Sequence, residues 1–249
     1  MSTSTACVPH DISSDGRYAL FTEPVAGVTT LKRFDKTTLS STNVTNFGTP
    51  TSASISSDGR YVTFLSTHTY QGKEMADLYA VDMQAAPATP VRVSTKSDGA
   101  QLPNGATAGG ISGDGNYFWF VTRDAAVPAD TDADADAYIA QRGVAGSTTL
   151  ASRMAASGAV GLGDISDNGR YLAFEFTPSG GDKGVWVYDR VNQTTKAAHK
   201  TYNGGVPNGI TERPAISGDG VWLTFVGWAS NLVATDTNGK ADVFVVPRP

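Results

Sequence analysis

The feature that most constrains this chain is a ten-residue phrase that occurs five times. The copies run from Ile12 to Phe21, Ile55 to Phe64, Ile111 to Phe120, Ile165 to Phe174 and Ile216 to Phe225. Every copy begins with Ile-Ser, has Asp or Asn at its fourth position and Gly at its fifth, and ends in Phe. The copies begin 43 to 56 residues apart, a period typical of repeat architectures built from one supersecondary unit.

The phrase itself predicts a β-hairpin. Asp-Gly or Asn-Gly supplies the positive φ angles that a tight turn requires, at little steric cost. The Ser and Asp side chains can bond the backbone amides of that turn. β-Branched and aromatic residues flank the turn, as in Tyr61-Val-Thr-Phe64, and these residue types favour strands.

Further apolar runs follow each hairpin and complete a four-stranded unit. Third strands are predicted at 28–34, 77–82, 137–140, 185–189 and 242–246, and fourth strands are clearest at 91–95 and 194–198. Four strands repeated at a fixed period are typical of β-propellers. We therefore predict an all-β, five-bladed β-propeller of four-stranded antiparallel blades. It would form one domain over residues 1–249, with blade cores that begin near residues 9, 51, 107, 161 and 212.

The two ends of the chain indicate how such a ring would close. The fifth unit reaches Pro249 just after its third strand, and a polar, β-like stretch precedes the first unit. We predict that residues 2–8 form the outer strand of the last blade, which would close the ring and protect the blade edges. The expected state is a monomer, and the alternative is a five-unit fragment of a larger or oligomeric ring.

Composition and charge narrow the range of partners. The formal net charge of −5, from 24 acidic and 19 basic residues, gives no reason to expect a nucleic-acid or anionic-membrane partner. No apolar run is long enough for membrane insertion, and residues 1–7 lack the charged and apolar regions of a signal peptide. The single cysteine, Cys7, excludes an internal disulfide and a cysteine-rich metal site.

The repeated phrase resembles the PD40 repeat of WD40-like, TolB-type β-propellers, whose core reads Ser-Pro-Asp-Gly before an apolar strand that ends in Phe. The resemblance covers nearly the whole chain. It departs at the third position, where TolB commonly has Pro and this chain has Ser14, Ser57, Gly113, Asp167 and Gly218. TolB also has a sixth blade and an additional domain. The resemblance implies the propeller fold, a habit of binding partners and a periplasmic or secreted location, without an enzyme activity.

Two acidic loops are candidate calcium sites, although no cofactor is required by the sequence. The loop between the second and third strands of unit three carries Asp130, Asp132, Asp134 and Asp136, and unit five has Asp236, Asn238 and Asp242 at the matching place. Closely spaced carboxylates in a turn can converge their oxygens on Ca²⁺. The first loop resembles the start of an Asp-x-Asp-x-Asp calcium loop but lacks its Gly and its distal Glu. The alternative is a solvated acidic turn in which Asp136 and Asp242 brace the next strand.

The loops that join successive blades share one face of a propeller with these acidic loops, and that face is the usual binding side. Two of them contain Pro-Asn-Gly, which is a turn former. Their polar residues and one aromatic ring offer mixed hydrogen bonding that suits a peptide or a sugar. The candidate ligand-binding residues are Lys96, Asn104, His199, Tyr202, Asn203 and Asn208. Trp228, outside the repeated positions, is a candidate for a further surface contact.

We interpret the chain as a non-catalytic binding or scaffold module that presents this loop face to a protein partner or a glycan. The alternative is a five-bladed glycoside hydrolase with carboxylates at the channel mouth. Asp11, Asp164 and Glu212 fall on or beside the predicted inner strands and would carry that chemistry. The three histidines lie in different loops without metal-ligand spacing, and no Gly-x-Ser-x-Gly nucleophile motif occurs. Enzyme activity is therefore not the leading expectation.

Overall fold

The computed structural model of the protein describes residues 7–71 and 73–249. In these residues the chain forms nineteen β-strands, arranged in five antiparallel sheets that we call blades 1 to 5. Within each blade the strands lie side by side in chain order. None of the described residues belongs to a helix that could cross a membrane.

The strand bounds follow the repeat. Blade 1 contains β1 (Val8–Ile12), β2 (Tyr18–Val25), β3 (Val28–Asp35) and β4 (Ser40–Thr45). Blade 2 contains β5 (Pro50–Ile55), β6 (Tyr61–Tyr70), β7 (Lys73–Asp82) and β8 (Val91–Arg92). Blade 3 contains β9 (Ala108–Ile111), β10 (Tyr117–Thr122), β11 (Asp136–Gln141) and β12 (Thr149–Leu150). Blade 4 contains β13 (Gly158–Ile165), β14 (Tyr171–Pro178), β15 (Gly184–Asp189) and β16 (Thr194–Ala197), and blade 5 contains β17 (Thr211–Ile216), β18 (Trp222–Gly227) and β19 (Asp242–Pro247).

The first strand of every blade borders one central cavity of about 380 Å³. Its walls include the isoleucine that begins every repeated phrase, namely Ile12, Ile55, Ile111, Ile165 and Ile216. Each blade therefore runs outwards from a common channel. This arrangement of antiparallel sheets confirms the prediction of an all-β propeller.

The Asp-Gly turns are held by the contacts expected of turn residues, and blade 2 is an example. Ser56 Oγ donates to Asp58 Oδ1 (2.6 Å), and the Tyr61 N–H donates back to Ser56 Oγ (2.9 Å). Gly59 lies at φ 73°, in the left-handed region where a side chain is strained. The repeated Ser and Asp are thus committed to the turn, at the end of the blade opposite to the loops that join successive blades.

Consecutive blades meet through a repeated contact that we call a seam. At each of the four seams the aromatic residue of one hairpin covers the turn glycine of the next blade: Tyr18 covers Gly59, Tyr61 covers Gly115, Tyr117 covers Gly169 and Tyr171 covers Gly220. A guanidinium stacks on the same ring and donates to the glycine carbonyl, from Arg33, Arg142, Arg190 and Arg248 respectively. These cation–π and packing contacts join the blades on the turn side of the ring.

Blade 5 and blade 1 do not form a fifth seam, and we call this part of the ring the open end. Among the described residues, no backbone hydrogen bond joins the two blades. No described atom lies within 4 Å of the position of a Cβ at Gly16, and Trp222, which stands where the seam tyrosines stand, is 50% exposed. Ile12 is 58% exposed, whereas the four equivalent isoleucines are 6–8% exposed.

The predicted bounds of the closing strand, residues 2–8, are wrong at the C-terminal end. Val8 is the first residue of β1 and pairs with Thr22, so it belongs to the inner strand of blade 1 and not to the outer strand of blade 5. Residues 2–6 lie outside the described residues, and for them closure stays a prediction. In the described part of the chain blade 5 has three strands.

Candidate functional site on the loop face

The channel carries two of the acids predicted for a hydrolase, and both are bonded to backbone amides. Asp11 accepts from the Ile12 N–H (2.8 Å) and from the Ile55 N–H of blade 2 (2.9 Å). Asp164 likewise accepts from the amide of the next residue and from the Ile216 N–H of blade 5 (2.9 Å each). Burial raises the pKa of Asp164 to about 6, although the two amide bonds oppose the rise. Each carboxylate therefore links its own blade to the following one.

The residues at the equivalent positions show why blades 1 and 4 carry these acids. In blade 2 the hydroxyl of Ser54 accepts from the Ile111 N–H (3.2 Å). Blade 3 has Gly110 there, and the Trp119 ring fills the space beside it and reaches Gly163 of blade 4. Because blade 3 offers no acceptor, the acid of blade 4 must cap the isoleucine amide of its own strand. These contacts give both carboxylates a structural role.

Glu212, the third predicted acid, lies at the loop-face end of β17 and belongs to a different kind of environment. Its Oε2 lies 3.3 Å from Lys183 Nζ, which is also 3.5 Å from Glu175 Oε2. The indole N–H of Trp228 donates to Glu212 Oε1 (3.4 Å), while 56% of Trp228 is exposed. Burial opposes the change, but the bonds from Lys183 and Trp228 hold the pKa of Glu212 below its usual value. We call Lys183, Glu212 and Trp228 the Trp228 cluster.

A strained residue stands next to the Trp228 cluster. Arg213 lies at φ 55° within a β-bulge between Glu212 and Ala215. Its N–H donates to Glu175 Oε1 (2.8 Å), and Glu175 is buried. Glu175 and Lys183 were not among the site residues predicted from the sequence. The available signal was that Glu175 is the one charged residue in the otherwise uncharged strand β14.

The acidic loop of blade 3 brings three of its four aspartates together. One carboxylate oxygen from each of Asp130, Asp132 and Asp136 lies within 4.8 Å of the others. Asp134 is directed elsewhere, because its Oδ2 accepts from the Gly158 N–H (2.7 Å). The loop borders a surface cleft of about 490 Å³. Three convergent carboxylates could provide ligands for one divalent cation.

Two of these acids are held in place by neighbouring hydroxyls. Ser152 Oγ donates to Asp136 Oδ1 (2.5 Å), and the Tyr138 hydroxyl donates to Asp130. Burial raises the pKa of Asp136 to about 6, the bond from Ser152 opposes this rise, and the charge of Asp130 adds to it. The cluster is thus fixed in geometry and short of positive charge.

Blade 2 has the same arrangement with its charge balanced. Asp77 occupies the position of Asp136, and Ser94 donates to it (2.8 Å) as Ser152 does in blade 3. In addition, His68 Nε2 and Arg92 Nη1 lie 3.5 Å and 3.8 Å from Asp77 Oδ2. Across the described residues, the three clustered aspartates of blade 3 form no ion pair with a basic side chain.

The second predicted calcium loop, in blade 5, is satisfied by its own hydrogen bonds. Asn238 Nδ2 donates to both oxygens of Asp242 (3.1 and 3.2 Å), and the Asn238 N–H donates to Asp236 (3.2 Å). Both carboxylates of this loop thus accept hydrogen bonds from Asn238, and the calcium site at this loop stays a prediction.

The predicted ligand-binding residues divide into two groups. Asn104 and Asn208, in the two Pro-Asn-Gly turns, anchor their loops to the following blade. The Asn104 N–H donates to Asp124 Oδ2 (2.7 Å), and the Asn208 N–H donates to Asn231 Oδ1 (3.0 Å). These equivalent contacts give the repeated turn a structural role.

The remaining residues lie in different parts of the loop face. His199 is half-buried, donates from Nδ1 to the Val185 carbonyl (2.7 Å) and packs edge-on against Trp186. Burial lowers the pKa of His199. Lys96 is half-buried in the loop between blades 2 and 3, whereas Tyr202 and Asn203 are exposed in the loop between blades 4 and 5.

Comparison with known proteins gives the fold its context. No family model matches the chain, and no curated protein matches it. TolB from Acinetobacter baumannii has a TM-score of 0.59 at 18% identity, over 93% of this chain and 54% of that one. A candidate TolB from Agrobacterium tumefaciens has a TM-score of 0.62 at 19% identity, over 99% of this chain and 83% of that one. The chain has the fold of TolB-type β-propellers.

An acylaminoacyl peptidase from Pyrococcus horikoshii is also similar, with a TM-score of 0.61 at 12% identity, over 96% of this chain and 36% of that one. This chain spans about half the length of the Acinetobacter protein. At these identities the likeness shows the propeller fold alone, so function must be argued from the site.

Proposed function

We propose that this propeller is a non-catalytic binding module that holds a segment of another protein on the loop face of blades 4 and 5. The observation that carries the proposal is the Trp228 cluster. Trp228 is a large ring whose polar edge is already bonded to Glu212, while its apolar surface is exposed. Tryptophan is one of the residue types enriched among those that dominate binding energy at protein interfaces.

The surroundings of Trp228 support this role. The loop between blades 4 and 5 exposes Tyr202 and Val206, and Asn231 Nδ2 donates to the Val206 carbonyl (3.2 Å), which ties this loop to the one that follows Trp228. The ion pair of Lys183 with Glu212 lies beside the ring and offers charged partners at its rim. An apolar anchor with a charged rim is the usual composition of a protein-binding patch.

The hydrolase alternative has less support. In Asp11 and in Asp164 both carboxylate oxygens accept hydrogen bonds from backbone amides, and Glu212 is paired with Lys183. General acid–base catalysis needs one carboxyl group that can give up a proton to a leaving group and one carboxylate free to act. A glycan remains the second candidate ligand, because a sugar ring can also stack on an exposed tryptophan.

The chain offers a matched pair of variants to test the binding proposal. Peptides selected against the wild-type protein from a displayed library, and the sugars of a glycan array, would be measured on Trp228→Ala and on Trp222→Ala. Trp222 is similarly exposed (50% against 56%) but lies at the open end. We expect Trp228→Ala to weaken peptide binding at least tenfold and Trp222→Ala to leave it unchanged. Selected peptides that bind both variants like the wild type would contradict the proposal, and binding of sugars alone would favour the glycan.

We further propose that the acidic loop of blade 3 binds a divalent cation such as Ca²⁺. The contrast with blade 2 supports this, since Arg92 lies near the aspartate of the same Asp-Ser pair there, and no described basic side chain pairs with the clustered aspartates of blade 3. Adding calcium at millimolar concentration should raise the melting temperature by several degrees, and Asp132→Asn should abolish the rise. Asp236→Asn, in the self-bonded loop of blade 5, is the matched control and should keep it. No shift in the wild type would exclude the site.

The pH dependence of this effect follows from the pKa of Asp136, which is raised to about 6. A carboxyl group must lose its proton before it can ligate calcium. The thermal shift should therefore be full at pH 7 and decline as the pH falls through 6.

For location, the resemblance to TolB-type propellers supports the periplasm or the extracellular space, which cell fractionation would test.

A further inference from the structure

A cleft of about 260 Å³ lies at the seam between blades 3 and 4, and we call it the seam cleft. Blade 3 lines it with residues of β10, β11 and β12, and blade 4 lines it with Tyr188 of β15 and with the turn that follows this strand. Two arginines, Arg153 and Arg190, border the cleft, and no described lining residue carries a carboxylate. The seam cleft is therefore a positively charged pocket on a chain whose net charge is −5.

The matching position at the other three seams carries an acid. The residue that pairs with the seam tyrosine in the third strand is Asp35 in blade 1, Asp82 in blade 2 and Asp189 in blade 4. Each of these aspartates accepts two hydrogen bonds (2.7–3.1 Å) from the arginine that precedes the tyrosine. Blade 3 has Gln141 and Asn116 at these two positions. Its seam thus lacks both the acid and the ion pair of the others.

This exchange leaves one seam arginine without its usual counter-ion. Between blades 4 and 5 the equivalent cleft is bordered by the seam arginine Arg248 together with Asp189. Between blades 3 and 4 the seam arginine is Arg190, and Gln141 replaces the aspartate. Across the described residues, Arg190 forms no ion pair. Its charge is therefore available to an anion that enters the cleft.

Arg153 adds a second positive charge from the segment that follows β12. Burial raises the pKa of Tyr188, which is 2% exposed, and the charges of Arg153 and Arg190 oppose this rise. Both guanidinium groups therefore lie near the hydroxyl of one buried tyrosine. Arg153 also borders the acidic cleft of blade 3, but within the described residues it forms no ion pair with the aspartates there.

Arg190 is held in place before any ligand binds. Its guanidinium carbon lies 3.9 Å from the centre of the Tyr117 ring, and its Nε donates to the Gly169 carbonyl (2.9 Å). Among the described residues, no acceptor takes a hydrogen bond from its two Nη groups. Arginine binds phosphate oxygens through such paired N–H groups, and a side chain that is already immobilised loses little entropy on binding.

We propose that the seam cleft binds a phosphate group, either as inorganic phosphate or as a phosphate monoester. Two guanidinium groups supply two positive charges, and a phosphate group carries about −1.5 to −2 at pH 7. A carboxylate has a single negative charge and would leave one guanidinium unbalanced. Because the net charge of the chain is −5, a large polyanion is repelled by the rest of the surface, and a small anion is the occupant that fits.

Thermal unfolding and calorimetric titration with inorganic phosphate test the site. Phosphate at about 10 mM should raise the melting temperature of the wild type by several degrees over sodium chloride of the same ionic strength. Arg153→Gln removes one charge at an exposed position, and Gln141→Asp introduces the acid of the other seams. Each variant should weaken phosphate binding at least tenfold. Arg123→Gln, which removes an exposed arginine from a loop of the same blade, is the matched control and should bind phosphate like the wild type.

Titrations with phosphoserine and with acetate identify the group that is recognised. Phosphoserine that binds more tightly than inorganic phosphate would support a monoester as the ligand, and equal binding would support the phosphate group by itself. Acetate that binds as tightly as phosphate overturns the proposal in favour of a carboxylate site. A wild type without a phosphate-specific shift overturns it, as does binding that both Arg153→Gln and Gln141→Asp retain. An equal loss in Arg123→Gln also overturns it, because the effect would then follow from net charge alone.

Discussion

The four seams and the open end have chemically similar residues, an aromatic ring, a turn glycine and a basic side chain, yet among the described residues only the seams are formed. At the seams a tyrosine covers the turn glycine of the next blade, and an arginine stacks on the ring. At the open end Trp222, Gly16 and Lys36 hold the equivalent positions, and Trp222 and Gly16 lack these contacts. Each repeat therefore carries half of a contact, and a neighbouring blade must provide the other half.

Removing the aromatic ring at a seam and at the open end tests whether only the seam ring contributes strongly to the free energy of unfolding. Tyr61→Ala deletes a buried side chain and should lower the free energy of unfolding by about 3–4 kcal/mol. Trp222→Ala removes a larger ring, but its exposure limits the expected loss to about 1 kcal/mol. Urea unfolding of the two variants measures both values. Equal losses would mean that Trp222 is buried in solution.

The glycines under the rings give the second test. Gly115 and Gly16 both have φ near 70°, so alanine strains the backbone at either position. At Gly115 the added Cβ would also lie 2.6 Å from the Tyr61 ring, which must move. We expect Gly115→Ala to cost about 2–3 kcal/mol and Gly16→Ala about 1 kcal/mol. The difference between the two melting curves isolates the seam, and it would vanish if the ring had room to move.

Asp164, the channel acid of blade 4, should make the stability of the protein depend on pH. The pKa of Asp164 is raised to about 6 from its usual 3.8, so the folded state binds the proton more tightly than the unfolded state. Its contribution to stability is therefore greatest at low pH and is lost as the pH rises through 6. Between pH 4 and pH 7 the wild type should lose about 1–2 kcal/mol relative to Asp164→Asn.

Denaturant titrations at a series of pH values measure this difference between the wild type and Asp164→Asn. If Asp164→Asn follows the pH curve of the wild type, the carboxyl group of Asp164 is solvated and does not link blade 4 to blade 5.

The fold was predictable because its signals are local. The Asp-Gly turns, the strand-forming residues beside them and their repetition need only neighbours in sequence. The site was predicted in part, since Trp228 and the blade 3 aspartates were singled out. Nothing in the spacing revealed that Asp134 is directed to Gly158, or that Lys183 bridges two glutamates from different blades. Those contacts join residues distant in sequence, so only the folded chain brings them together.

Blades 1 and 2 show the limit most clearly, because residues 12–18 and 55–61 have the same sequence, Ile-Ser-Ser-Asp-Gly-Arg-Tyr. That sequence alone determined the hairpin, and both copies form it with the same Ser-Asp contact. Yet Ile12 is 58% exposed and Ile55 is 6% exposed. The tertiary structure decided this difference, because burial depends on the surface that faces the residue. Ile55 packs against blade 1, and no described blade packs against Ile12.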